Sequence, residues 1–144
     1  MVPTSLLLHW PHAWYGFWHE YGPDFAHYPS ALACVDPART ARYDLPRLLA
    51  YLRSGHPLLA TSRASFPSPF TGHRAGGSLC YVTDGRWYWP DDLADYVAEH
   101  QVALPDAWYA EIEAHGFRMP ALTEEDQEKQ TGKLVQLLGM QPML

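Results

Sequence analysis

Asparagine is missing from all 144 residues, so the chain carries no acceptor for N-glycosylation. Cysteine occurs twice, as Cys34 and Cys80, with no CxxC pair, which excludes a disulfide framework and a thiolate zinc finger. Apolar runs fall far short of the about 20 residues that a membrane-spanning helix needs. Leu6-Leu7-Leu8 is too short for a signal-peptide core and has no basic segment before it. Lysine appears only as Lys129 and Lys133, there is no basic run, and the formal charge is −6, a balance that argues against nucleic-acid binding. No Ser-His-Asp order, P-loop or dinucleotide fingerprint is present. These absences lead to the expectation of a cytoplasmic chain with no membrane association, no nucleic-acid partner and no cofactor. Scarce Lys and Ile beside abundant Ala, Arg and Pro match the composition of a GC-rich bacterial genome.

What is present is a chain of ordinary domain size, read as one domain over 1–144. Its hydrophobic fraction of 47% against 18% charged residues is that of a globular rather than a disordered chain. Six Trp and nine Tyr predict an aromatic-lined core or cleft, because such rings bury large areas and carry a polar handle.

Along the chain, Ser5–Trp10 reads as a strand. Trp14, Phe17, Trp18 and Tyr21 fall at helical spacing and predict a helix over Pro11–Tyr21, stopped by Gly22-Pro23. Ser30–Val35, bounded by Pro29 and Asp36-Pro37, reads as a short buried strand. Asp44 as N-cap, Pro46 in the first turn and Leu45, Leu48, Leu49 and Leu52 on one face predict a helix over 45–54, with Gly55 in the left-handed cap position. Pro57–Arg63 reads as a strand and 61–78 as a long Gly/Arg/His loop. A central hairpin follows at 79–89, with Asp84-Gly85 as a two-residue turn in which both residues take positive φ. Three C-terminal helices are predicted at 91–100, 105–115 and 123–138. They open on Asp91, on Pro105-Asp106 and on Thr123, and the last has three acids in its first turn. The grouping argues an α+β fold with a small, mostly antiparallel sheet rather than βαβ units.

Charge is sorted along this order. Residues 37–86 hold seven Arg against Asp44 and Asp84, a net +5, whereas residues 87–128 hold eleven acids against Arg118, a net −10. Either the two segments face each other and the charge is internal, or Asp91, Asp92, Asp95, Glu99, Glu111 and Glu113 form an acidic helical face that steers a basic protein partner. The second choice describes a small binding or regulatory protein, for instance of the immunity type.

The competing reading is a small-molecule binder or enzyme with an aromatic, His- and Arg-lined cleft. Its candidate ligand residues are Arg63, His73 and Arg74 in the long loop, which suit a small anion, and Arg86, Trp87 and Trp89 in the hairpin. Trp87 and Trp89 share one strand face, opposite Arg86 and Tyr88. The bland counterpart is a Trp pair in the core with Arg86 and Tyr88 exposed. His9, His12 and His19 make a faint metal pattern without an HExxH or Cys pair to support it, and no metal is assigned. Both cysteines read as buried and structural. The C-terminal helix has a polar first half and an apolar end. Segment 123–144 is therefore expected to protrude as an interaction helix, with 134–144 docking on its own domain or on a second copy of the chain.

Overall fold

The computed structural model describes residues 13–26, 28–62, 67–73 and 77–138, the side chains of 24, 61, 62 and 133–138 excepted. Strands are β1 (Ala13–Trp14), β2 (His56–Ser62), β3 (Ser78–Thr83) and β4 (Trp87–Pro90). Helices are α1 (Pro37–Thr40), α2 (Leu45–Arg53), α3 (Leu93–His100), α4 (Asp106–Ala114) and α5 (Glu124–Leu138), with short 3₁₀ turns at His19–Tyr21, Pro23–Phe25 and Leu32–Cys34. The sheet order is β1-β4-β3-β2. The β4–β3 and β3–β2 pairs are antiparallel, and two-residue β1 joins β4 in parallel. This is an α+β fold.

The best-patterned segments form as their chemistry dictates. Asp44 accepts the Arg47 amide at 3.5 Å to open α2, and α2 buries Leu48, Tyr51 and Leu52. Thr123 Oγ1 accepts the Asp126 amide at 3.1 Å at the start of α5. Asp36 accepts the Arg39 amide at 3.1 Å, with Pro37 at the first position of α1. The hairpin stands, but its turn differs from the expected one. Thr83 pairs with Tyr88, which puts Gly85 and Arg86 at the centre, and of these only Gly85 has positive φ, at 100°. A turn with glycine first and an ordinary residue second meets the type II′ requirement instead of type I′.

Three other expectations are corrected. The aromatic segment is no helix. Gly16 sits at φ 94°, and a Cβ there would lie 2.7 Å from the Pro90 ring, so the chain passes close to β4 where a helix could not. Trp14 and Phe17 therefore pack on one side of the sheet, with Tyr81 and Tyr88, while Tyr15 and Trp18 enter the other core. Ser30–Val35 is a 3₁₀ turn and not a strand, with Val35 alone bridging to Val102. Gly55 is not left-handed. Its lack of a side chain is needed because a Cβ would meet Val82 at 2.7 Å and Trp89 at 2.9 Å.

Two packed layers result. Helices α2, α3 and α4 cover one sheet face around fully buried Trp18, Trp89 and Trp108. The N-terminal aromatics cover the other around Phe17, Tyr81 and Tyr88. The helix α3 predicted to begin at Asp91 starts at Leu93, with Asp92 at its cap position. Helix α4 ends in a Schellman motif: the Gly116 amide bonds Glu113 O and the Phe117 amide bonds Ile112 O at 2.9 Å each. Phe117 itself follows Gly116 into the left-handed region, at φ 60°, a conformation that costs a non-glycine residue about 1–2 kcal/mol.

Candidate functional surfaces

The hairpin turn is held by a buried carboxylate. Buried Asp84 accepts the Arg86 and Trp87 amides on Oδ1 at 3.0 and 2.8 Å. On Oδ2 it accepts the Tyr51 hydroxyl at 2.7 Å and the Trp108 indole at 3.1 Å. Burial, with the Asp84 carboxylate beside it, pushes the Tyr51 phenol far above its ordinary value. A buried carboxylate with four donors is satisfied, and it ties the turn to α2 and α4.

Trp87 and Trp89 do share a face, as the alternation required, and both rings pack on Trp108, at 4.9 Å and 10° and at 5.0 Å and 54°. The Trp89 indole donates to Leu52 O at 3.0 Å and the Trp87 indole to Glu111 at 3.3 Å. Tyr88, expected to be exposed beside Arg86, is instead fully buried. Its hydroxyl donates to Gln130 of α5 at 2.7 Å, because α5 covers the face that the alternation left open.

The acidic residues separate into different environments. Asp95 pairs with Arg53 at 3.3 Å and Glu111 with Arg86 at 3.2 Å, while Arg39 meets Asp106 at 2.6 Å. These three pairs join the basic middle segment to the acidic helices. Asp92 is buried, and Asp91 accepts the Cys80 amide at 3.3 Å. Glu99 and Glu113 are exposed, and neither has an ion-pair partner among the described residues.

Of the loop candidates, Arg63 and Arg74 lie outside the described residues. His73 is exposed, with its amide on Thr71 Oγ1 at 3.2 Å. The stretch 67–73 of that loop is held to α3 by Phe70, whose ring stacks on His100 at 4.0 Å and 2°. Among the faint metal candidates, His9 and His12 lie outside the described residues. His19 Nδ1 is bonded to Ala26 O at 2.9 Å, and no cluster among the described residues could hold a metal ion. The strand expected over Ser5–Trp10 also lies outside them. Among the described residues no helix is long and apolar enough to cross a membrane.

A surface cleft of about 200 Å³ lies where no local sequence signal marks one. It is lined by Tyr15, Cys34, Asp36 and Arg39, with Ala103, Leu104 and Pro105 among its apolar walls. The Tyr15 hydroxyl donates to Ala103 O at 2.5 Å. Burial first, and then the neighbouring Cys34 thiol, raise its pKa far beyond the ordinary range, so the phenol stays neutral. Arg39 Nη2 donates to Leu104 O and to Asp106, which offsets the guanidinium charge and holds α1 against the chain before α4. Asp36-Pro37 is a legible helix start, yet nothing local in the sequence brings it to Tyr15 or Leu104. The other thiol, Cys80, has its pKa raised by burial and then by the Asp91 carboxylate, opposite to what a nucleophilic cysteine requires.

Comparison with known proteins finds no matching family model, no matching curated protein and no matching solved structure.

Proposed function

We propose that the chain is a binding protein of the regulatory or immunity type that engages a basic protein partner through exposed carboxylates of its C-terminal helices. The observation that carries this reading is the position of Glu99 and Glu113. They lie in the last turns of α3 and α4, where the negative end of the helix dipole disfavours a carboxylate. Both are exposed, and no described cation offsets them. A partner cation would. Exposed Glu124, Asp126 and Glu128 on α5 add further negative charge to the C-terminal helices, although the first two also favour their own helix N-terminus.

The test separates fold from recognition. Replacing Glu113 by Lys removes an unfavourable dipole interaction, so the unfolding free energy should rise by about 0.3–1 kcal/mol. The same Glu113→Lys chain, combined with Glu99→Lys, should lose a basic partner recovered with the wild-type chain at low salt. Partner recovery that is unchanged in the double variant, and insensitive to added salt, would remove the acidic face from function.

A second reading rests on the cleft. A small polar ligand seated between Asp36 and the apolar wall of Leu104 and Pro105 would raise the melting temperature with ligand concentration. Screening small amines and carboxylates checks it.

A further inference from the structure

The cleft between α1 and the chain before α4 is lined by two opposite charges, Asp36 and Arg39, whose side chains form no ion pair with each other. Arg39 commits Nη2 to Leu104 O and to Asp106, 2.6 Å from that carboxylate, so its positive charge is already offset. Asp36 is placed differently. Its Oδ1 accepts the Arg39 backbone amide at 3.1 Å, and no cation among the described residues lies within ion-pair distance of its carboxylate. Two carboxylates and one guanidinium leave one negative charge in excess. Asp36 is half-buried, and a carboxylate taken partly out of water without a cation is left uncompensated. The Tyr15 proton is committed to Ala103 O, which leaves the phenol oxygen to act only as an acceptor. Ala33, Leu104 and Pro105 supply the apolar wall. A volume of about 200 Å³ falls below the roughly 300–1,000 Å³ of sites for drug-sized ligands. It holds about six or seven groups the size of water, at about 30 Å³ each.

We propose that this cleft takes an organic ammonium group on a short aliphatic body of about four carbons, an assignment that rests on the cleft being a ligand site and adds the chemistry of its occupant. The cation sits on the Asp36 carboxylate in a charge-assisted hydrogen bond, and the carbons lie on Leu104 and Pro105. A carboxylate of the same size meets Asp36 as a like charge, and Arg39, its one attraction, already faces Asp106. A neutral alcohol gains the apolar contact but leaves Asp36 without a cation. The lysine side chain carries the same chemistry, an ammonium at the end of an aliphatic stem. A free amine and a lysine of a basic protein partner are thus two sources of one group.

The experiment uses the full chain and three probes of equal length, n-butylammonium, butyrate and n-butanol, at constant ionic strength. Binding is read by calorimetry. Occupancy of the cleft is read by the rate at which iodoacetamide alkylates Cys34, which lines it, with Cys80 as internal control. Butylammonium is expected to slow alkylation of Cys34 but not of Cys80, and to bind at least about tenfold more tightly than butyrate. Asp36→Asn keeps a capping acceptor for the Arg39 amide, so melting without ligand should change little. Its affinity for butylammonium should nevertheless fall about tenfold or more. Undiminished affinity in Asp36→Asn, or tighter binding with Cys34 protection by butyrate or butanol, overturns the ammonium assignment and leaves the cleft a ligand site. No protection of Cys34 by any probe up to about 100 mM, far above the roughly millimolar dissociation constants open to such small ligands, overturns both. The peptide acetyl-Gly-Lys-Gly-amide separates the sources. Protection of Cys34 equal to that by butylammonium assigns the cleft to a partner's lysine, and protection by butylammonium alone assigns it to a free amine.

Discussion

Glu20 accepts three hydrogen bonds, from the Ser30 hydroxyl at 2.6 Å and from the Ala31 and Leu32 amides at 2.9 and 3.3 Å. Burial by itself would push this carboxyl up. The Ser30 hydroxyl and the two amides outweigh it and hold the group below the ordinary glutamate range. A carboxyl depressed in the folded state stabilises the fold above its unfolded pKa, and that contribution is lost as pH falls through the folded value. Glu20 should therefore act in full at neutral pH and cease to act in acid. The Glu20→Gln chain is expected to be less stable at pH of about 7 and to show a flatter loss of stability toward pH of about 3. Urea unfolding across that range checks it, and an unchanged acid slope would show that the 3₁₀ turn at Leu32–Cys34 does not depend on this charge. The residue types here were plain in the sequence. Their meeting was not, because Glu20 reaches its donors only when the segment before it abandons the helix that its aromatic spacing predicts.

At the scale of elements, the passage from α2 to β2 depends on absence of a side chain. Gly55 reads from sequence as a left-handed helix stop, whereas the structure uses it to let Val82 and Trp89 close on the backbone. Gly55→Ala would place a methyl group where Val82 and the buried Trp89 ring now stand, and overpacking of this kind costs typically 1–3 kcal/mol. Chemical denaturation should show that loss with helix content unchanged. A neutral or stabilising result would mean that β3 moves aside freely. Helix α5 illustrates the opposite limit. Its polar half has no stripe to bury, yet it docks by bonding to β2 carbonyls through Gln127 and Thr131, a contact that depends on the partner strand and not on periodicity. The hairpin and α2 were legible because turn chemistry, caps and a leucine stripe are local. Element β1 was not, being two residues long and dependent on β4 for its pairing.

For the whole molecule, charge sorted along the chain becomes charge paired across it. Arg39–Asp106, Arg53–Asp95 and Arg86–Glu111 bring the basic middle to the acidic helices, and each has at least one half-exposed or exposed partner. Exposed pairs are worth about 0–1 kcal/mol each and are screened by salt. Raising sodium chloride from about 0.05 to about 1 M should therefore lower the unfolding free energy by no more than about 1–3 kcal/mol in total. A much larger drop in guanidinium-free unfolding would show that these pairs act as a network. Stability is expected to reside instead in the aromatic layers on the two sheet faces, which salt does not screen.

The sequence by itself determined the α+β class, α2, the hairpin strands, the three C-terminal helices and the opposite charge of the two segments, because caps, turns and periodic apolar residues act over a few positions. Tertiary structure alone decided the rest. It set the two-sided distribution of the N-terminal aromatics and the burial of Tyr88 beneath α5. It also made Asp84 the common acceptor of Tyr51 and Trp108, and it brought Tyr15, Cys34, Asp36 and Arg39 to one cleft. Each of these joins segments tens of residues apart, and no local preference encodes which distant donor a buried acceptor will find.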